Sequence, residues 1–169
     1  MKNHGFSLIE LLIVIALIGI LLAIAVPNYN ETMTKTKIEA QTKELHSAIT
    51  NARLAALQNK QLSSIKLSPT SYVFGVYTGS DYSTPSGFKE VTTVSLPFVI
   101  QKKVGGGLGD ISGYSIDFDT RGFTIDPFKN NMTIVVTPVK YGGGDNCIVV
   151  YTTRTNIGRM DDASTCTTR

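Results

Sequence analysis

Apolar residues are distributed along this chain in three regimes. They run continuously from Phe6 to Val26, then recur on one helical face, then alternate in short bursts to the end. The first regime is apolar on every side. Its 21 residues, as a helix at ~1.5 Å per residue, reach roughly 31 Å, the thickness of a bilayer's hydrocarbon core. One ionisable group, Glu10, lies inside it. A carboxylate there costs roughly 2.5–3.5 kcal/mol on insertion scales. A plain anchor has no use for that cost, so Glu10 is read as having a partner. The alternative is a Glu10 near the interface that snorkels to water. Pro27 follows the run; it removes a backbone donor and disfavours helical geometry at Val26, so a kink or a short unwound patch is expected.

The second regime is a stripe. Ile38, Leu45, Ile49, Ala52 and Ala56 recur at sevens, fours and threes, while Lys35, Lys37, Glu39, Lys43, Glu44 and Arg53 fall mostly off it. This predicts a helix to about Asn59 that packs one face on a sheet. His46 sits beside the stripe and is read as structurally satisfied rather than as a ligand or a base.

The third regime predicts strands: Ser64–Leu67, Tyr72–Tyr77, Val91–Leu96, Phe98–Lys102, Tyr114–Phe118, Phe123–Ile125, Met132–Val139 and Cys147–Thr153. Thr84-Pro85-Ser86-Gly87, Gly105-Gly106-Gly107 and Gly142-Gly143-Gly144-Asp145 punctuate them as loops. None precedes a predicted helix or ends in Lys-Ser/Thr, so they are not phosphate loops. Asp119-Thr120-Arg121-Gly122 reads as a tight turn. Asp117 and Asp119 alternate with Ile116 and Phe118, and both are expected on the solvent face. Pro138 marks a strand end or an edge. The fold class is α+β: a long N-terminal helix packed on an antiparallel sheet.

Charge adds little direction. The formal net charge is +3; without Lys2 there are 15 basic side chains against 13 acidic ones, in no long block of one sign. That balance is no nucleic-acid signature. Beyond the first five residues His46 is the sole histidine. No nucleophile–base constellation, metal-ligand set or cofactor motif can be assembled. An enzyme is therefore not expected, and neither is a cofactor or metal.

Gly5-Phe6-Ser7-Leu8-Ile9-Glu10 resembles the processing site of type IV prepilins and type II secretion pseudopilins, and Pro27 matches the helix-breaking proline of many pilins. The resemblance is close over about the first 55 residues and looser beyond. It implies a leader (1–5), an N-terminal helix (6–59, with 6–26 as the membrane and assembly part) and a β-rich globular domain (60–169). It also implies cleavage after Gly5, methylation of Phe6, and pairing of Glu10 with a neighbour's amino terminus. Two other origins compete: a signal peptide cut near Ala23-Ile24-Ala25, and an ordinary signal anchor carrying a tethered hydrolase. The implied partners are other pilin subunits, a prepilin peptidase, and an inner-membrane assembly platform with its ATPase. The implied location is the inner membrane, globular domain outside the cytoplasm, and afterwards a filament.

Within the family, Ile116-Asp117-Phe118-Asp119-Thr120-Arg121-Gly122-Phe123, Met132-Thr133-Ile134-Val135-Val136, Ile148-Val149-Val150 and Asn156-Ile157-Gly158-Arg159 resemble the FimT/GspH-like minor pilins and pseudopilins. Ala52 to Gln61 resembles the helix end common there. This implies a minor subunit rather than the shaft-forming major pilin, which is the alternative. Some of those relatives bind DNA through a basic C-terminal Gly-Arg-x-Arg pattern. Here Gly158-Arg159-Met160-Asp161-Asp162 places acids in that region. Arg154, Arg159 and Arg169, with Lys140 nearby, are the candidate DNA contacts, opposed by two carboxylates. Calcium at Asp145, Asp161 and Asp162 is weighed against a solvated loop, and the loop is preferred. In an exported, oxidising setting Cys147 and Cys166 are candidates for a disulfide, which over this loop length adds roughly 3 kcal/mol in the entropy model. Two free thiols are the alternative.

Overall fold

The computed structural model describes residues 7–79, 86–125, 131–139, 144–161 and 165–168, and the backbone alone at 24, 25 and 27. The chain forms two compact units that divide between Thr34 and Lys35. The first unit is helical. Helix α1 is assigned over Leu8–Asn59, so its later turns belong to the second unit. The assignment is unbroken at Pro27, and the unwound patch expected there is absent. The missing Pro27 N–H removes one rung of the ladder without ending the helix. The Pro27 side chain lies outside the described atoms.

In the second unit ten strands follow: β1 Ser63–Ser68, β2 Ser71–Tyr77, β3 Phe88–Ser95, β4 Ile100–Val104, β5 Gly107–Gly109, β6 Tyr114–Phe118, β7 Met132–Val136, β8 Cys147–Val150, β9 Thr155–Arg159 and β10 Thr167–Thr168. They form two antiparallel sheets rather than the single one expected. The order is β3-β2-β1-β6 in one and β10-β9-β8-β7-β4-β5 in the other.

The helical stripe is the hub of the core. Ile38, Leu45, Ile49, Ala52 and Ala56 are all buried. They pack with Ile65, Leu67, Ile116 and Phe118 of the first sheet and with Ile100, Ile134, Ile148 and Val150 of the second. Ala52 and Ala56 keep the helix surface low where the strands approach. Ser63 Oγ donates to Ala52 O at 2.7 Å inside this contact. Lys102 of β4 places its ammonium 3.5 Å from the ring centroid of Tyr114 in β6, joining the sheets at one margin.

Several expected elements changed. Phe123–Ile125 is not a strand; it contributes one bridge, Phe118↔Thr124. β4 starts at Ile100 instead of Phe98 because a side chain takes the backbone of Phe98. Gln41 Nε2 donates to Phe98 O at 2.7 Å, and Phe98 N donates to Gln41 Oε1 at 2.8 Å. β8 stops at Val150, since Tyr151 N closes a turn onto Arg154 O at 2.8 Å. β7 stops at Val136, before Pro138. The glycine run Gly105–Gly107 does make a hairpin, but Gly107 already belongs to β5. Asp119 is buried, not solvent-facing. It stands one residue past β6, where strand alternation no longer applies. Thr84-Pro85 and Gly142-Gly143 lie outside the described residues.

Gln41 is 2% exposed and is the hydrogen-bonding partner of both backbone groups of Phe98. Gln41→Ala leaves that donor and acceptor unmade in the interior, a loss of about 1–3 kcal/mol. A lower denaturant midpoint with an unchanged slope is the expected result for the full chain in detergent.

Candidate functional site

The first unit presents a chemically simple surface. From Leu8 to Leu22 the described large apolar side chains all stand exposed, Leu8 at 81% and Leu21 at 68%. Consecutive apolar residues cover every side of a helix, so no packing within the protomer could bury them all. An 18-residue window here has mean hydropathy 3.1 and none of it is buried, so the helix is long and apolar enough to cross a membrane. Glu10 lies in the first turn and is exposed. Ser7 O begins the helix by accepting from Glu10 N at 3.1 Å and Leu11 N at 3.2 Å. An acid in the first turn is also favoured by the helix dipole. Gly5 and Phe6 lie outside the described residues.

A second group of residues closes the C-terminal region. Cys147 and Cys166 form a disulfide, with Cα atoms 6.1 Å apart across 19 positions. Val135, Cys147 and Met160 make a small core of their own with Leu108, Val139 and Cys166 packed on it. It takes Val135 of β7 and Cys147 of β8, whereas Ile134, Val136, Ile148 and Val150 of the same strands belong to the main core. Asn146 fastens it: its Nδ2 donates to Met160 O at 2.8 Å and its Oδ1 accepts from Met160 N at 2.7 Å. Gly158 is required where β10 crosses. A Cβ there would lie 2.4 Å from Thr167 O and 3.0 Å from Cys166 Sγ.

Of the candidate DNA contacts, Arg154 and Arg159 stand at opposite ends of β9. Arg154 precedes β9 and stacks over Tyr151 at 4.9 Å. Arg159 ends the same strand, roughly 17 Å away at ~3.3 Å per residue. Its Nε pairs with Asp161 at 2.6 Å. Arg169 and Lys140 lie outside the described residues, as does Asp162 of the calcium alternative. Among the described residues no group of three His, Cys, Asp or Glu side chains is placed to hold a metal. His46 Nε2 lies 3.1 Å from Thr155 O and ties α1 to β9.

Sequence reasoning missed a buried polar junction at the end of α1. Asp119 Oδ1 accepts from Arg121 N and Phe123 N, both at 2.9 Å. Its Oδ2 pairs with the Arg121 side chain at 2.8 Å. Gly122 has φ +76°, and a Cβ there would meet Leu57 Cγ at 2.9 Å, so the turn seats directly on the helix. Arg53 reaches from α1 over the Phe118 ring at 5.3 Å and donates to Thr153 O at 2.9 Å. Burial lowers its pKa. The available signal was Arg53 itself, a cation next to an apolar stripe. Burial acts to raise the pKa of Asp119, but the hydrogen bonds from Phe123 and Arg121, and the Arg121 charge, outweigh it and hold the carboxyl below its ordinary value.

Comparison with known proteins agrees with this geometry. Residues 1–26 match the family model for the prokaryotic N-terminal methylation motif. A fimbrial protein of Pseudomonas aeruginosa is 38% identical over 90 residues, covering 53% of this chain and 58% of that protein. The fimbrial protein EcpB of Eikenella corrodens is 55% identical over 49 residues, 29% of this chain and 31% of that one. The type IV major pilin protein PilA of Myxococcus xanthus is 52% identical over 50 residues, 28% and 23% of the two chains. The chain thus spans little more than half the length of the fimbrial relative it matches most extensively here. Among solved structures, the type IV minor pilin FimU of Pseudomonas aeruginosa shares the fold, with TM-score 0.52, 14% identity, and 75% of this chain and 91% of that chain covered. The chain is thus similar to type IV pilins in its N-terminal methylation motif and shares the pilin fold.

Asp119 gives this junction a pH signature. Its folded-state pKa is depressed, so its contribution is complete above the ordinary carboxylate value of 3.8 and is lost as pH falls through the lower folded value. Asp119→Asn should lower the unfolding midpoint at pH 7 and flatten its decline on acidification. Parallel acid titrations of thermal stability for wild type and variant check this.

Proposed function

We propose that this chain is a structural subunit, a minor pilin or pseudopilin, of a type IV pilus or type II secretion filament. One observation carries the reading: a helix apolar on every side, unburied in the protomer, with a single carboxylate in its first turn. The matched methylation motif supports cleavage after Gly5 and methylation of Phe6. Before assembly the helix lies in the inner membrane, with the globular unit outside the cytoplasm. A prepilin peptidase, an assembly platform and its ATPase act on it there.

Glu10 then meets the new amino terminus of an adjacent subunit. The amine of Phe6 is about one turn from Glu10 in sequence, so parallel neighbours displaced along the axis can bring the two groups together. In an apolar surrounding an unpaired carboxylate is strongly disfavoured. The pair therefore penalises wrong registers more than it adds net stability. Moving the helix from lipid to a bundle of helices exchanges one apolar environment for another, with little hydrophobic driving force either way. That balance suits assembly powered from outside. Pro27 weakens the ladder at the end of the apolar run and would let the helix follow the filament.

The FimU-like fold supports a minor subunit. Relatives described as major pilins support the alternative, and abundance in sheared filaments separates the two. A DNA-binding minor pilin is the less supported reading, because Arg159 is paired with Asp161 and Arg154 stands at the far end of β9. No salt-sensitive retardation of DNA by the purified chain is expected in a gel-shift assay.

The assembly reading is tested at the amino terminus. Mass spectrometry of the native protein should find a methylated Phe6 as its first residue; a start at Met1 or Val26 sinks the proposal. Glu10→Ala should insert into membranes as wild type does, yet enter filaments at least tenfold less.

A further inference from the structure

We propose that one face of α1 just past the apolar run, carrying Tyr29 and Met33, is seated in the lipid headgroup layer, with the helix leaning toward that side; this rests on the membrane stage of the role above. Up to Val26 apolar residues point in every direction, and lipid contact alone sets no preferred side. Beyond Pro27 the pattern divides. Tyr29 and Met33 stay large and exposed, at 64% and 39%, in line with Leu22 and Val26 at 54% and 53%. At ~100° per residue these four side chains lie within about 60° of one another. Glu31 stands two residues from both Tyr29 and Met33, and so falls on the opposite face. Asn28 and Thr34 are turned about 100° or more away from each of the two.

Depth and chemistry select lipid as the occupant. The apolar run already matches the hydrocarbon core in length. Tyr29 and Met33 follow about 4.5 and 10.5 Å past Val26 at ~1.5 Å per residue, which is the headgroup layer and its outer margin. Tyrosine suits that level, with an apolar ring for the acyl boundary and a hydroxyl for the water side. The polar groups beside the stripe fit the same place. Thr32 and Thr34 turn their hydroxyls back on the helix, donating to Asn28 O at 3.0 Å and to Asn30 O at 2.9 Å, so neither donor needs water. Glu31 is the sole charged side chain from Pro27 to Thr34. Its carboxylate is driven away from hydrocarbon, and its face is the one that the lean lifts toward water.

The two faces therefore act in the same direction. Sinking the Tyr29 and Met33 side and raising the Glu31 side is a single tilt. At the usual tilt of ~20°, a helix about 10 Å wide carries one face roughly 3 Å deeper than the other. That offset exceeds the ~1.5 Å axial rise between neighbouring residues. Tyr29 then lies deeper than Asn28, although Asn28 is one residue nearer to the apolar run. An upright helix gives the reverse order.

The chain contains no tryptophan, so single tryptophans report depth without background. The full processed chain is reconstituted in vesicles of phosphatidylcholine and phosphatidylglycerol, brominated on the acyl chains either near the headgroups or near the bilayer centre. Tyr29→Trp should be quenched at least twofold more than Asn28→Trp by the shallow bromines, and at least twofold less by aqueous acrylamide. Equal quenching, or the upright order, overturns the proposal. Protection of Tyr29→Trp from lipid and water quenchers alike means that a second copy covers the stripe, and overturns it too. Ile15→Trp reports on the underlying role. If centre-brominated lipid leaves it unquenched, the chain does not span the membrane, and the lipid-facing stripe falls with that role. If Ile15→Trp is quenched while positions 28 and 29 keep the upright order, only the stripe falls. Should a tryptophan variant fail to insert, Tyr29→Cys and Asn28→Cys carrying a nitroxide are compared by oxygen accessibility, the native cysteines being held in their disulfide, and the same order decides.

Discussion

One helix in this protein must satisfy two solvents. Up to Val26 its side chains are apolar all round and none of the apolar window is buried. From Ile38 onward it is apolar on one stripe, and that stripe is buried in the core of the globular unit. Among the described residues the large apolar side chains of the first stretch are exposed, whereas those of the stripe are packed in the core. This contrast accounts for the remaining architecture. A domain built on the second stretch needs sheets that wrap one helical face, and two sheets do this where one would leave part of the stripe uncovered. Small residues at Ala52 and Ala56 allow both to approach.

Around that hub the polar groups act as clamps. Gln41 supplies both hydrogen bonds that a strand neighbour would have given Phe98. Asn146 does the same for Met160, and Asp119 does so for the turn that rests on Leu57. Each replaces backbone pairing where a sheet runs out, so irregular segments can be buried without orphaned donors. The disulfide adds a covalent closure where the covering strand, β10, has only two residues and little pairing energy of its own.

Such a division fits the role proposed above, a subunit that moves from a membrane into a filament. The N-terminal run is apolar except for Ser7 and Glu10. The globular unit is fastened by short-range polar contacts and a disulfide. In that unit β3 is largely exposed, and its Thr92 lines a groove with Ala48, Asn51 and Ala55 of α1.

Much of this was legible in the order of residues. Helical periodicity marked Ile38, Leu45, Ile49, Ala52 and Ala56, because a 3.6-residue repeat is a local property. Continuous apolarity marked the N-terminal run, and Gly5, Phe6 and Glu10 marked its motif. The tight turn at Asp119 to Gly122 was readable from turn residues. What the tertiary structure decided was long-range. The split into two sheets depends on pairings such as Ser63 with both Val76 and Phe118, which no local pattern encodes. β5, β9 and β10 are too short or too glycine-rich to announce themselves, and exist because a neighbour is present. The burial of Asp119 and Arg53 follows from the turn landing on the helix, since exposure depends on what packs above a residue and not on its place in a repeat.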